Sequence, residues 1–354
     1  MSTKEIDIPS LRLINQQLLH PRFSAPDKLV SWMGAIQAQN INMAKWAVGI
    51  RLRSASLKKV EKAINDGSII RTHVMRPTWH FVAAKDIRWM IALSSKHLER
   101  TYTSYSRIVG NEITTRQFIK SNDLLERILC GGRCLTKQEI ALEFERAGWS
   151  ANAHQVNYFL CYAEAKGVIC SGGIHGHTHL YALLEERVPQ YPKLSKENAL
   201  ASLARAYFRS HSPASLKDFT WWSGLTLSEA KQAVGVIENE MTEETLNGRL
   251  LYIYNSSRRR CDISENLHLL PAFDEYLIAY NDRTDVLPQE YYAKAFTKNG
   301  LFFPVILHKG QIIGNWKKVN GKGEMQLNCS YFRMKNIPNE DLQANAIKRY
   351  IMFR

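Results

Sequence analysis

The sequence lacks the signals of several large protein classes. No apolar run reaches the roughly 18 residues that a membrane-spanning helix needs, and the first residues lack the apolar core of a signal peptide. Neither a glycine-rich phosphate loop nor a Gly-x-Ser-x-Gly turn occurs, so nucleotide hydrolysis and serine-esterase chemistry have no support. We therefore expect a cytoplasmic protein.

Cysteine is scarce and is not arranged for cross-linking or metal binding. The chain has six cysteines, none of them in a Cys-x-x-Cys pair, and most stand among apolar residues. This usage is typical of reduced core thiols, and it indicates neither a disulfide framework nor a zinc ribbon. We expect no cofactor. The cysteines are Cys130, Cys134, Cys161, Cys170, Cys261 and Cys329.

Acidic residues are too few to balance the basic ones. The 33 Asp and Glu residues stand against 47 Lys and Arg, which gives a net charge of +14. A polyanion is the natural partner of such a chain, and nucleic acid is the first candidate. A basic but otherwise ordinary surface is the alternative. At 354 residues the chain should divide into two to four domains.

Two stretches repeat the order helix, turn, helix, hairpin. In the first, Thr136 and Glu139 form a capping box that begins one helix, and a second helix spans residues 153–166. Strands at 168–170 and 179–183 flank a glycine-containing turn. This order of elements predicts a winged helix.

The second stretch predicts another winged helix. Residues 215–222 form its first helix, and a capping box from Thr226 to Glu229 begins its second. The pair Asn247-Gly248 lies between strands at 241–246 and 249–254 and is a strong hairpin signal.

The N-terminal part predicts a third, less regular copy. Residues 26–38 and 43–51 are expected to be helical, and 56–64 form an amphipathic helix. Strands at 69–75 and 78–82 then form its wing. The predicted fold is a helix-rich α+β protein with three tandem winged-helix units.

The predicted domains are residues 1–120, 121–190 and 191–257, one winged helix in each, followed by a β-rich unit at 258–354. In the last unit, strands are expected at 302–308, 311–316 and 325–332.

Two glutamines stand in an otherwise apolar segment at the end of the predicted helix 26–38. Gln37 and Gln39 would lie where this helix ends near Asn40. A buried carboxamide without hydrogen bonds costs about 1–3 kcal/mol, so each must have partners. The pair either ties the helix end to a neighbouring loop or forms a polar site.

Three stretches carry a resemblance to a known family: residues 34–39, 71–82 and 269–283. With the tandem winged helices, they resemble the AlkZ-like DNA glycosylases, bacterial proteins that excise bulky alkylated bases and unhook interstrand crosslinks. With Gln39 at the deciding position, the chain resembles the Gln-x-Gln branch of that family. The resemblance implies a C-shaped, monomeric and monofunctional enzyme that holds damaged double-stranded DNA, with Gln37 and Gln39 as its catalytic pair.

Elementary chemistry is consistent with two neutral carboxamides at such a site. Hydrolysis of an N-glycosidic bond needs a stable leaving base, a stabilised sugar cation and a positioned water. An N7-alkylated guanine is already positively charged and needs no protonation, so one carboxamide can orient water while the other stabilises the oxocarbenium ion. The alternative function is a non-enzymatic winged-helix DNA-binding protein or transcriptional regulator.

Four residues on the first wing are candidates for contacting the lesion or the DNA. They are Arg71, Arg76, Thr78 and His80, and strand alternation is expected to direct Arg71, Thr78 and His80 toward one face. They could hold the lesion strand or a bridging water. Alternatively, His80 is a satisfied core histidine and Arg71 a phosphate clamp.

Further candidates lie in two polar segments. His175, His177 and His179 alternate along a wing, where they could hold a metal or, as we favour for His175 and His177, touch phosphate. The basic run Arg258, Arg259 and Arg260 either grips phosphate or is a solvated loop.

Charged residues of the third resembling stretch favour a structural role. Asp274, Asp282 and Arg283 belong to the family-like motif, but a carboxylate beside an arginine more often stabilises a joint between domains.

Overall fold

The structure is a computed structural model that describes residues 7–108, 113–175, 178–256, 263, 266–319 and 326–354. Its N-terminal part combines helices with one small sheet. The elements are α1 Ile8–Asn15, α2 Pro26–Met33, β1 Ile36–Gln37, α3 Ile41–Gly49, α4 Leu57–Asn65, β2 Ile69–His73, β3 Trp79–Ala83 and α5 Ala84–Ile108.

The helix expected over 26–38 is shorter than predicted. Helix α2 ends at Met33, and Gly34 follows with φ of +79°, a conformation that L side chains rarely adopt. The chain then enters β1, which pairs antiparallel with β3, so the sheet has the order β1-β3-β2. The prediction that Gln37 lies on a helix is therefore wrong, because pairing with a distant strand overrides the local helical pattern.

The first stretch with the repeated pattern has the predicted elements. Both helices begin at capping boxes, with Thr136 and Asn152 as the N-cap residues. A short strand before the first helix joins the hairpin in a sheet of order β4-β6-β5. The elements are α6 Thr115–Leu129, β4 Leu135–Thr136, α7 Lys137–Arg146, α8 Ala153–Ala165, β5 Ile169–His175, β6 Thr178–Leu183 and α9 Leu184–Arg187.

The second stretch is close to its prediction as well. Ser215 and Thr226 cap its two helices through capping boxes, and Asn247-Gly248 joins the hairpin strands at the expected bounds. The long helix before it was not predicted. The elements are α10 Lys196–His211, α11 Leu216–Ser223, α12 Leu227–Val236, β7 Met241–Leu246 and β8 Arg249–Tyr254.

The C-terminal part contains a four-stranded antiparallel sheet of order β12-β11-β10-β9. The expected strand at 302–308 begins only at Val305, and neither the strand β9 nor the final helix was predicted. The elements are β9 Leu267–Leu270, α13 Glu275–Ile278, α14 Tyr292–Ala295, β10 Val305–His308, β11 Gln311–Val319, β12 Gln326–Tyr331 and α15 Glu340–Phe353.

The two ends of the chain share one apolar core. Trp46 of α3 packs edge-on against Tyr350 of α15, and Trp316 of β11 contacts the same tyrosine. A buried ion pair reinforces this joint, because Arg51 holds Asp274 through two hydrogen bonds of 2.7 and 2.8 Å. The C-terminal residues therefore support the N-terminal sheet directly.

Two general expectations can be compared with the described residues. In that part of the chain, no helix is long and apolar enough to cross a membrane. The five described cysteines are free thiols, and Cys161 and Cys170 are buried while Cys130 is exposed.

Candidate active site

Strand pairing places three polar residues side by side on one face of the N-terminal sheet. Gln37 of β1 lies opposite His80 of β3, and His80 lies opposite Thr72 of β2. Cross-strand partners project to the same face, with their Cβ atoms about 4.5–5.5 Å apart. The row Gln37, His80 and Thr72 is thus a polar strip on a largely apolar sheet.

The side chain of Gln37 is held in one orientation. It is 5% exposed, and its Oε1 accepts a hydrogen bond of 3.1 Å from Nη2 of Arg76. Because a guanidinium only donates, the oxygen of the carboxamide and not the nitrogen must face Arg76. Within the described residues, Nε2 of Gln37 has no hydrogen-bond partner, so both of its N–H groups are available.

Gln39 differs from Gln37 in its exposure and its contacts. Its side chain is exposed, and its only hydrogen bond among the described residues is a long one of 3.5 Å from the backbone N–H of Trp79 to Oε1. A contact of that length is weak. The carboxamide of Gln39 can therefore turn toward a ligand at little energetic cost.

His80 is a neutral acceptor in the middle of this strip. Its Nδ1 lies 2.9 Å from the carbonyl oxygen of Thr78 and must donate to it, which leaves Nε2 as an acceptor. Burial lowers the pKa of His80 to about 3, and the charge of Arg76 acts in the same direction. Among the described residues, Nε2 of His80 and the buried hydroxyls of Thr72 and Thr78 have no protein partner.

Arg71 lies on the opposite face of the sheet from His80. It is paired with Phe81, its Nε donates to the carbonyl oxygen of Ala38 at 3.0 Å, and its guanidinium stacks 4.0 Å from the ring of Trp79. The expectation that Arg71 and His80 share one face is therefore wrong. In the observed strand register, Arg71 is paired with Phe81, and both project to the face opposite His80. Burial lowers the pKa of Arg71 to about 10, so it stays charged at neutral pH.

An aromatic and imidazole cluster surrounds Arg71 on this second face. The ring of Trp79 packs between His73 at 4.1 Å and His179 at 4.8 Å. His73 in turn contacts the fully buried Glu164 at 2.5 Å. This cluster ties the N-terminal sheet to the hairpin β5–β6, and Trp79, His73 and Glu164 were not singled out as site residues from the sequence.

Glu275 is a buried carboxylate beside the segment of Gln37, and sequence reasoning missed it. Its Oε1 accepts the backbone N–H of Gln37 at 2.7 Å, and its Oε2 accepts the indole N–H of Trp222 at 3.0 Å. Although burial alone raises the pKa of Glu275, the nearby His211 side chain, the hydrogen bond from the backbone N–H of Gln37 and the charge of Arg76 hold it below its usual range. The sequence signal that could have identified Glu275 was its position next to Asp274 in the stretch 269–283, which resembles the family.

The neighbouring charged residues of that stretch make structural contacts. Asp282 pairs with Arg249 at 2.9 Å, and Arg283 donates to the carbonyl oxygens of Leu277 and Asn281. The pairs of Asp282 with Arg249 and of Asp274 with Arg51 join the C-terminal residues to other elements, whereas Arg283 braces its own segment.

Several predicted site residues do not enter this description. His177, Arg258, Arg259 and Arg260 lie outside the described residues, and His175 is described only as the last residue of β5. His179 faces Trp79 and Arg71, where burial lowers its pKa to about 3. Over the described ranges, no three His, Cys, Asp or Glu residues are grouped so that they could hold a metal ion.

This chain is similar to known proteins in sequence and in fold. A sequence model of the family described as DNA glycosylase AlkZ-like matches residues 30–334. The interstrand DNA cross-link repair glycosylase of Streptomyces sahachiroi is 23% identical over 330 residues, which cover 87% of this chain and 86% of that protein. The solved structure of Streptomyces sahachiroi DNA glycosylase AlkZ matches with a TM-score of 0.79 at 19% identity, covering 98% of this chain and 95% of that chain. At that identity the structural likeness establishes a shared fold.

Proposed function

We propose that this chain, which belongs to the AlkZ-like DNA glycosylase family, hydrolyses the N-glycosidic bond of bulky or crosslinked N7-alkylpurines in DNA. The observation that carries the proposal is the arrangement of the two carboxamides. Gln39 is exposed two residues after Gln37, whereas Gln37 is buried in β1 with its oxygen bonded to Arg76 and its N–H groups available.

The two glutamines take different roles. Gln37 donates a hydrogen bond from Nε2 to the attacking water, and the free Nε2 of His80 accepts a hydrogen bond from the same water. Gln39 turns its carbonyl dipole toward the sugar, where positive charge develops. His80 serves as an acceptor and not as a strong base, because its imidazole is neutral and its pKa is far below neutral pH.

The proposed reaction balances without a cofactor. The bond between C1′ of the sugar and N9 of the purine breaks, and its electron pair passes to the base and cancels the positive charge of the alkylated ring. The water oxygen bonds to C1′ and its proton is released to solvent. The products are a neutral alkylpurine and an abasic site in an otherwise intact strand, which is what monofunctional means here.

A cationic lesion is the substrate class that this site suits. Nothing on the strip of Gln37, His80 and Thr72 can protonate a leaving base, because a carboxamide, a neutral imidazole and a hydroxyl are all poor acids. The name of the Streptomyces relative adds crosslinked purines to the proposed substrates.

Binding of the duplex is proposed to rest on charge and on the repeated helical units. The helix, turn, helix and hairpin order of residues 137–183 and 216–254 supports two winged helices, with residues 1–120 as the third. Arranged in a C shape, these units would hold double-stranded DNA as a monomer, and the net charge of +14 supplies the attraction. Such an enzyme would act in the cytoplasm, at the nucleoid.

The test is release of an N7-alkylguanine from a duplex oligonucleotide that carries one such lesion. Gln37→Ala and Gln39→Ala are each expected to lower kcat about 100-fold or more. Affinity for the duplex should change little, since phosphate contacts dominate it. Gln326→Ala, on the exposed part of β12, is the matched control. The strand should break only after alkaline treatment.

Two results would count against this function. The first is a folded wild-type protein that releases no base from a panel of bulky and crosslinked N7-alkylpurines. The second is protection of one defined sequence in undamaged DNA that Gln39→Ala leaves unchanged, which would favour a transcriptional regulator instead.

A further inference from the structure

Glu275 brings a buried negative charge to the back of the catalytic segment. It begins the short helix α13 and is fully buried, with donors from two distant elements on its oxygens. Oε1 accepts the backbone N–H of Gln37 at 2.7 Å, and Oε2 accepts the indole N–H of Trp222 at 3.0 Å. A buried carboxylate is expensive unless charge or hydrogen bonds compensate it, so its presence here requires a reason.

His211 does not supply the compensating charge. Its Nε2 lies 3.7 Å from Oε2 of Glu275, but burial lowers the pKa of His211 and keeps the imidazole neutral. Arg76 is a permanent cation whose charge also lowers the pKa of this carboxylate. Among the described residues, however, Arg76 forms no ion pair with Glu275 within 4 Å, and its Nη2 donates instead to Oε1 of Gln37.

Gln37 therefore lies between an anion and a cation. Its backbone N–H donates to Glu275, while its side-chain oxygen accepts from Arg76. Glu275 thus contacts the main chain of Gln37, and Arg76 contacts its carboxamide. This arrangement fixes β1 and the amide orientation together, and it offsets the positive charge of Arg76 where a sugar cation must form.

We propose that Glu275 is a positioning residue of the glycosylase centre, which holds the backbone of Gln37 and balances Arg76 so that the Gln37 carboxamide keeps its N–H groups toward the attacking water. The inference rests on the function proposed above. A neutral acceptor of the same shape could not replace it, because the charge on Arg76 would then oppose the developing oxocarbenium ion.

The decisive variant is Glu275→Gln, which preserves size but removes the charge. We expect kcat for release of N7-alkylguanine to fall by about 10-fold to 100-fold, with KM changed less than about threefold. Glu290→Gln, which neutralises an exposed partner of Arg333, is the control and should leave both constants unchanged. An unchanged kcat in Glu275→Gln would overturn the proposal.

A double-mutant cycle separates positioning from a general loss of stability. If Glu275 acts through Arg76, adding Glu275→Gln to Arg76→Met should lower kcat by much less than it does in the wild-type background. Full additivity of the two effects would contradict a shared role. Arg76→Met alone also keeps the proposal testable if Glu275→Gln fails to fold, since it should produce a comparable loss of kcat.

A measurement without substrate distinguishes failure of this inference from failure of the proposed function. In protein labelled with ¹⁵N-glutamine, the side-chain NH₂ of Gln37 should give one fixed pair of resonances, which broaden or average in Glu275→Gln and in Arg76→Met. Identical Gln37 resonances in all three proteins would refute positioning, whether or not the wild type cleaves DNA. Absent base release with the expected NMR change would refute the glycosylase function alone.

Discussion

Gln37 and Gln39 are separated by one residue but occupy different environments. Gln37 is 5% exposed and is fixed by Arg76, whereas Gln39 is exposed and has one weak contact. The same side chain is thus held in one place and weakly held in the other, and this difference is the basis for the two distinct roles that we propose.

His80 offers a residue-scale prediction. His80→Phe keeps the ring in place but removes the acceptor Nε2, so we expect kcat for base release to fall at least about 10-fold. The free energy of unfolding should change by less than about 1.5 kcal/mol, because only the hydrogen bond from Nδ1 to Thr78 is lost.

Thr72→Val, on the same strip, is the control for the effect of His80→Phe on stability. Thr72→Val removes a buried hydroxyl that has no protein partner among the described residues, so it should not lower thermal stability. If His80→Phe leaves kcat intact while stability falls, His80 is a core histidine and has no part in positioning water.

At the scale of elements, the loop between β2 and β3 determines where Arg76 lies. This loop includes Met75, whose φ is +61°, and it packs against the turn that ends α11. Gly224 forms that turn with φ of +71°, and a Cβ there would lie 2.6 Å from the carbonyl oxygen of Met75. The end of α11 therefore supports the loop that presents Arg76 to Gln37.

A pair of glycine substitutions tests this support. Gly224→Ala should lower the free energy of unfolding by about 2 kcal/mol or more and should also reduce kcat, because the displaced loop carries Arg76. Gly235→Ala is the matched control, since a Cβ there meets no atom within 4 Å in α12 and should stabilise the helix by about 0.5–1 kcal/mol. Urea unfolding and base-release kinetics measure both effects. A Gly224→Ala protein as stable and active as wild type would contradict this account.

At the scale of the whole molecule, buried imidazoles link stability to pH. Burial lowers the pKa of His80, His211 and His268, so all three are neutral in the folded protein near neutral pH. In the unfolded chain they titrate near about 6.5. The unfolded state therefore binds more protons below that pH, and stability falls as the pH decreases.

The expected loss of stability is large enough to measure. Between pH 7.5 and 5.5 the three imidazoles together can lower the free energy of unfolding by up to about 4 kcal/mol. Glu164 opposes this trend, because burial raises its pKa. Urea unfolding at several pH values should show a plateau above pH 7.5 and a decline below about 6.5.

A histidine substitution identifies the source of the pH dependence. His268→Gln removes one buried imidazole in β9, outside the strip of Gln37, His80 and Thr72, and should weaken the dependence by up to about 1.4 kcal/mol over the same interval. His154→Gln, on the exposed surface of α8, is the control. Equal stability of the wild type at pH 5.5 and 7.5 would show that the buried imidazoles do not govern it.

The sequence by itself determined the local features of this protein. Thr136, Ser215 and Thr226 each begin a helix where the capping pattern predicts one, and Asn247-Gly248 forms the predicted hairpin. Such features could be predicted because their hydrogen bonds close within a few residues, so the local sequence contains both partners. The resemblance to the glycosylase family also came from the sequence and is confirmed.

Only the tertiary structure decided how the site is built. Gln37 lies on a strand and not on a helix because β3 pairs with it, and the same register sends Arg71 to the face opposite His80. Glu275 reaches Gln37 across 238 residues of sequence. No local periodicity encodes which strand pairs with which, or which distant carboxylate compensates a buried arginine, because those partners meet only when the common core of the two chain ends forms.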